Sequence, residues 1–191
     1  RDGWLKEIRK LCDDNNILLI LDEIQSGLGR TGKLFAYEHE GIRPDGLIIG
    51  KALGGGLLPV SAFLSSKEIM EHFQPGSHGS TFGGNPLAAK VATRALELLY
   101  EDNLIENSSK LGEFFMQELN AIQHPLIKQV RGKGLWIGVE LNPGDLSAKD
   151  ICKSLIKKGI ISKETHQTVI RFAPPLMITK EQIIWAMEQI R

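Results

Sequence analysis

Five consecutive apolar residues, Ile17-Leu18-Leu19-Ile20-Leu21, run without polar alternation into an acidic pair, Asp22-Glu23. A strand with no polar face needs cover on both sides, the condition of a strand inside a parallel sheet flanked by helices. Gly46-Leu47-Ile48-Ile49-Gly50 and Val60-Ser61-Ala62-Phe63-Leu64 have the same texture. Three such strands predict an α/β fold built on a mostly parallel sheet. Trp4, Leu5, Ile8, Leu11 and Cys12 recur at helical spacing, so a helix is expected over the first dozen residues, ended by Asp13-Asp14-Asn15-Asn16. Asn85 before Pro86 reads as an N-cap with proline at the first helical position, and Leu87, Val91, Ala95, Leu98 and Leu99 carry that helix to about Tyr100. A further helix is expected over residues 104–119.

Beyond His124-Pro125 the pattern changes to separated strands, at residues 134–141, 160–163 and 168–172. Ser147 with Asp150 opens one helix that Gly159 closes, and Thr179 with Gln182 forms the capping box of the last. This stretch reads as a smaller α+β unit, which places a domain division between residues 1–106 and 107–191.

Composition narrows the function. With 23 basic and 23 acidic side chains the net charge is zero, unlike proteins that hold phosphate backbones by a surplus of Lys and Arg, so no nucleic-acid partner is expected. Cys12 and Cys152 stand alone, with neither a disulfide framework nor metal-ligand spacing, which fits a reducing, cytoplasmic location. No metal and no membrane partner are expected: the longest apolar run is far short of the roughly 20 residues a membrane helix needs. The sequence opens on Arg1 inside a helical pattern rather than on Met, so it is expected to be part of a longer chain.

Two chemistries compete for the glycine-rich segment after the first strand. Gly27-Leu28-Gly29-Arg30-Thr31-Gly32-Lys33 fits seven positions of a phosphate-binding P-loop. The eighth, which must be Ser or Thr to hold Mg²⁺, is Leu34, and the acidic strand end lies upstream of the loop rather than downstream. The stronger constellation is Asp22, Gln25 and Lys51. Asp22 ends the first strand and Lys51 follows the second, at the strand termini where open α/β sheets bind ligands. A lysine amine facing a carboxylate there suits pyridoxal phosphate: the amine attaches the cofactor aldehyde, and the carboxylate keeps the pyridine nitrogen protonated so that the ring accepts electrons. Gln25 can hydrogen-bond the ring's phenolic oxygen. From spacing alone, a strand-end salt bridge is the plainer reading of Asp22 and Lys51.

The flanking residues alter that balance. Leu21-Asp22-Glu23-Ile24-Gln25-Ser26-Gly27-Leu28-Gly29-Arg30-Thr31-Gly32, Gly50-Lys51-Ala52-Leu53-Gly54-Gly55-Gly56 and His78-Gly79-Ser80-Thr81-Phe82-Gly83-Gly84-Asn85-Pro86-Leu87 closely resemble, in order and spacing, the three signature segments of class III aminotransferases. The resemblance implies fold type I, with part of the large mostly parallel-sheet domain followed by a C-terminal α+β small domain, and pyridoxal 5'-phosphate as cofactor. It implies that Lys51 is the attachment and proton-transfer lysine, Asp22 the pyridine-nitrogen partner and Gln25 the ring-oxygen contact. Ser80 and Thr81 match residues that reach the cofactor phosphate and substrate region from a neighbouring subunit, so a homodimer with shared active sites is expected. Arg171, on the apolar stretch Thr168-Val169-Ile170-Arg171-Phe172, matches the arginine that clamps the substrate α-carboxylate in two-pronged fashion.

Residues 161–175 look most like the ornithine-using branch of the family, which implies transfer of a δ-amino group to 2-oxoglutarate; the acetylornithine-using and other ω-amino branches are the alternative. Family members are about twice as long, so this stretch alone is expected to expose an unpaired sheet edge, to associate or aggregate, and to turn over little substrate. Glu23 reads as structural, since alternation turns it away from Asp22. His39, His72 and His124 read as surface residues, and Trp136 and Trp185 as packing residues.

Overall fold

The computed structural model describes residues 2–144 and 146–191, so Arg1 of the expected first helix lies outside the described residues. The chain forms two compact units. The first comprises residues up to Gly29 and Lys33–Asn103; the second comprises Arg30–Gly32 and Leu104–Arg191.

In the first unit, α1 (Trp4–Asp14) leads to a sheet of β1 (Ile20–Asp22), β2 (Gly46–Ile49) and β3 (Ala62–Ser65), in that order. β1 and β2 are parallel, with Asp22 opposite Ile48. β3 is antiparallel to β2, with Gly46 opposite Ser65, so the sheet is mixed where three parallel strands were expected. The connection explains the reversal. Between Ile49 and Ala62 the chain makes only a short 3-10 turn, Lys51–Gly54, and swings back through Gly55 and Gly56 at φ +59° and +77°. A parallel return needs a longer crossover, usually a helix.

Nor is the first strand covered on both faces. Leu19 is buried, but Ile17, Leu18 and Ile20 are each about half exposed, because β1 has a strand neighbour on one side only among the described residues. The central β2 is the strand that behaves as the pattern predicts, with Leu47 and Ile49 buried. Asp45 secures this region. Its carboxylate accepts from Leu19 N at 2.7 Å and pairs with Arg9 of α1 at 2.6 Å, and the Leu19 N–H first and Arg9 second hold its pKa below the usual carboxylate range. A short helix, α2 (Lys67–Met70), follows β3. Then α3 (Pro86–Glu101) starts where expected, with Asn85 Oδ1 accepting from Ala88 N at 2.8 Å, and packs on the Lys51–Gly54 turn.

The second unit runs α4 (Leu104–Asn120), β4 (Ile127–Lys133), β5 (Trp136–Leu141), α5 (Ala148–Lys157), β6 (Lys163–Thr165), β7 (Val169–Phe172) and α6 (Lys180–Ile190). Its sheet is antiparallel throughout, in the order β4-β5-β7-β6. Ile137, Val139 and Leu141 of β5 point inward at alternate positions, against Phe115 and Leu119 of α4, Leu155 of α5 and Ile183 and Met187 of α6. At about 1.5–3 kcal/mol for each large buried side chain, this cluster is the main stabilising feature of the unit. Both expected capping boxes are formed, at Ser147/Asp150 and Thr179/Gln182. β4 was not foreseen, and β6 begins at Lys163 where a strand over 160–163 was expected; Ile160 is instead buried in the core. Trp185 is about half exposed, its ring edge lying over Gly159. Among the described residues no helix is long and apolar enough to cross a membrane.

Candidate active site

Because β1 and β2 are adjacent and parallel, their carboxyl ends open at one end of the sheet. Asp22 is the last residue of β1, and Lys51 follows β2 after a single extended glycine, Gly50. Lys51 sits at φ +51°, a left-handed conformation that costs a residue with a side chain about 1–3 kcal/mol and is typical of functional positions. A Cβ on Gly50 would come within 3.3 Å of Ser61 Cβ, so the chain passes close to its neighbour just before it turns to present the lysine.

Lys51 Nζ donates to Gln25 Oε1. Asp22 is exposed, and its Oδ1 accepts from Ile24 N at 2.9 Å. Among the described residues no ion pair joins Asp22 to Lys51, so the strand-end salt bridge is not formed. Lys51 forms one wall of a cavity of about 470 Å³, shared with Val60, Ser61, Ser80, Phe82 and Asn85. That volume is in the range of sites for small cofactors. Ser80 Oγ accepts from Gly83 N at 3.0 Å, which folds residues 80–83 into a tight turn at the cavity; Thr81 is exposed. The structure thus brings Lys51, Gln25 and Ser80 into one neighbourhood, with Asp22 at the adjoining strand end.

Glu23 is 3% exposed and is not among the residues that line the cavity. Its carboxylate accepts from Ser26 Oγ at 2.6 Å, Ala36 N at 3.0 Å and Tyr37 N at 2.9 Å, which ties down the loop that carries Gln25. The P-loop alternative has no structural basis. Residues 27–33 run through turns and bends into a 3-10 turn at Ala36–His39, and no α-helix N-terminus follows to cradle a phosphate.

Arg171 lies in the second unit, on the face of β7 opposite the core: Ile170 and Phe172 are buried, while Val169 and Arg171 are half-buried. Its charge is therefore not sunk in apolar surroundings as the strand's composition predicted. It has no ion pair among the described residues. Lys163 is directly opposite it on β6, so two cations share one face. Lys163 is itself paired with the neighbouring carboxylate of Glu164, Nζ to Oε1 at 3.9 Å.

Arg30 was not singled out by the sequence. Its half-buried guanidinium donates from Nη1 to Leu135 O at 3.0 Å and Pro174 O at 2.6 Å, and desolvation lowers its pKa from the ordinary arginine value. Its carbonyl accepts from Ser108 Oγ at 3.1 Å. The only sequence signal was a cation inside a glycine-rich turn, which the P-loop reading absorbed.

An α/β unit that presents an amine and a carboxylate at neighbouring parallel strand ends, beside a cavity, has the framework of a lysine-anchored cofactor enzyme. Comparison with known proteins narrows the class. The family model described as aminotransferase class-III matches residues 1–191, and the chain belongs to the class III aminotransferases, whose cofactor is pyridoxal 5'-phosphate. It is 58% identical over 190 residues to an ornithine aminotransferase of Staphylococcus carnosus and 54% identical to ornithine aminotransferase 2 of Staphylococcus saprophyticus, covering 100% of this chain and 47% of each relative. The ornithine aminotransferase structure of Toxoplasma gondii aligns with TM-score 0.94 at 43% identity, over 100% of this chain and 46% of that one. The acetylornithine aminotransferase structure of Elizabethkingia anophelis aligns with TM-score 0.94 at 46% identity, over 100% and 48%. The chain spans about half the length of the curated relatives it matches.

Proposed function

We propose that the protein to which this chain contributes is a fold type I aminotransferase that moves the δ-amino group of ornithine to 2-oxoglutarate, giving glutamate 5-semialdehyde and glutamate. The observation that carries the reading is Lys51, held by Gln25 at a cavity wall with Asp22 at the adjacent strand end, in a chain 58% identical to an ornithine aminotransferase. When bound, pyridoxal phosphate supplies an aldehyde and an electron-accepting ring. Lys51 Nζ is the attachment point and the proton carrier. Both roles need the amine fixed in place, and the Gln25 carbonyl oxygen fixes it by accepting a hydrogen bond without being able to take the proton itself. Asp22, acceptor-only when ionised, is placed to hold a proton on a pyridine nitrogen. Arg171 offers its two-pronged guanidinium to the substrate carboxylate.

Thr81, with Ser80 beside it, matches the family residues that reach the active site of a second subunit in a homodimer, and Ser80 also lines the Lys51 cavity of its own chain. Leu57 and Phe82, 78% and 82% exposed, are large apolar side chains open to cover by further protein, which fits that reading. Borohydride reduction of the cofactor-loaded full-length protein, followed by peptide mapping, should place the label on Lys51; a label on another lysine, or none, would overturn the reading. The likeness to the Elizabethkingia structure favours acetylornithine as the second choice of donor. Titration of the chromophore separates the two: bleaching by ornithine supports the first, and bleaching by acetylornithine alone supports the second.

A further inference from the structure

We propose that Arg30 is a positioning residue for substrate carboxylate binding, acting by clamping the two strands that present Arg171; this rests on the reading of Arg171 given above. β5 and β7 are antiparallel, so the start of one lies beside the end of the other. Their last pair at that end is Ile137 with Phe172, and the next pair inward is Gly138 with Arg171. Leu135 immediately precedes β5 and Pro174 lies two residues beyond β7. One guanidinium nitrogen of Arg30 bonds the carbonyls of both, and so closes the strand pair just outside Arg171.

Three features make that clamp consequential. Pro174 and Pro175 have no N–H, so the segment after β7 cannot continue the ladder and is held through its carbonyls instead. Asn107 Nδ2 holds two further carbonyls, Leu176 O at 2.6 Å and Ile178 O at 3.1 Å, whereas Arg30 joins this segment to Leu135 at the start of β5. Gly138, opposite Arg171 on β5, contributes no side chain to brace the guanidinium from that strand, so the placement of the β7 backbone matters the more to it. Finally, Arg30 is itself fixed: its carbonyl accepts from Ser108 Oγ, which in turn accepts from Leu135 N at 3.3 Å, and a Cβ on Gly134 would lie 2.8 Å from Arg30 O.

The test uses the cofactor-loaded full-length protein with Arg30→Met, Arg30→Lys and, in parallel, Arg171→Met, each assayed with amino and 2-oxo acids and with an amine donor lacking a carboxylate. Arg30→Met should raise KM for carboxylate substrates roughly tenfold with kcat little changed, the scale of a lost charge-assisted hydrogen bond. KM for the carboxylate-free amine and the stoichiometry of borohydride-trapped cofactor should not move. Arg30→Lys, which keeps the charge and a donor, should show a smaller rise of the same selectivity, and it carries the test if Arg30→Met does not fold. A selective rise with Arg171→Met but none with either Arg30 variant would overturn the role of Arg30 and leave Arg171 standing. An equal rise for both kinds of amine, or loss of cofactor, in Arg30→Lys would show a merely structural residue and also overturn it. Absence of any selectivity in Arg171→Met would bring down the carboxylate site and the clamp together.

Discussion

Glu23 offers the sharpest contrast between a structural and a catalytic carboxylate. It is buried, has no cationic partner among the described residues, and is satisfied by three neutral donors: Ser26 Oγ, Ala36 N and Tyr37 N. Glu23→Ala leaves the two backbone N–H groups without their acceptor, each at about 1–3 kcal/mol, partly offset by removing a buried charge; a net loss of about 2–4 kcal/mol is expected. Glu23→Gln should cost about half as much. One carboxylate oxygen serves Ser26 and Ala36 and the other serves Tyr37, and an amide can replace only one of them. In a cooperative unit of this size 1 kcal/mol shifts Tm by roughly 2–4 °C, so Glu23→Ala should melt about 5–15 °C lower. Calorimetry of the full-length protein gives the order, and hydrogen exchange should show lost protection at the Ala36 and Tyr37 amides. Native stability in Glu23→Gln together with abolished turnover would refute this reasoning and make Glu23 a general base.

Gly112→Ala should destabilise by at least the 1–3 kcal/mol of ordinary overpacking, because the new methyl would sit 2.1 Å from the Gly134 carbonyl carbon; Gly144→Ala, with nothing within 4 Å, is the control and should melt like the parent. Asp45 has its folded pKa depressed, so its contribution is fully present above its unfolded pKa of about 3.9 and disappears as pH falls through the lower folded value. Asp45→Asn should therefore be less stable than the parent near neutrality, with the difference shrinking below about pH 4 in acid-unfolding curves. Thr179→Ala removes the acceptor for Gln182 N and should cost about 1 kcal/mol, read from the urea midpoint at constant m.

Local chemistry was legible in the sequence. Asn85, Ser147 and Thr179 cap helices through bonds to residues three positions away, so their neighbours alone decide the outcome. The nearness of Asp22, Gln25 and Lys51 was legible in the strands that Asp22 ends and Lys51 follows, although the strands themselves held surprises. An apolar run records that β1 needs cover, not that this stretch of chain supplies it. The direction of β3 depends on a glycine turn whose φ values no spacing reveals. β4 carries only two inward apolar residues, Ile127 and Val130, and a register shift between Ile127 and Gln129, so its strand character comes from pairing with β5. Arg30 was illegible for a related reason: the carbonyls it binds are 105 and 144 positions away.

Assigning Arg30–Gly32 to the second unit has a practical consequence for anyone who shuffles genes of this family. A crossover between Asn103 and Leu104 exchanges a stretch that looks self-contained on a map, yet it leaves a three-residue keystone with the donor parent. Chimaeras should survive best when residues 30–32 and 104–191 are inherited from the same ancestor, even though dozens of codons separate them.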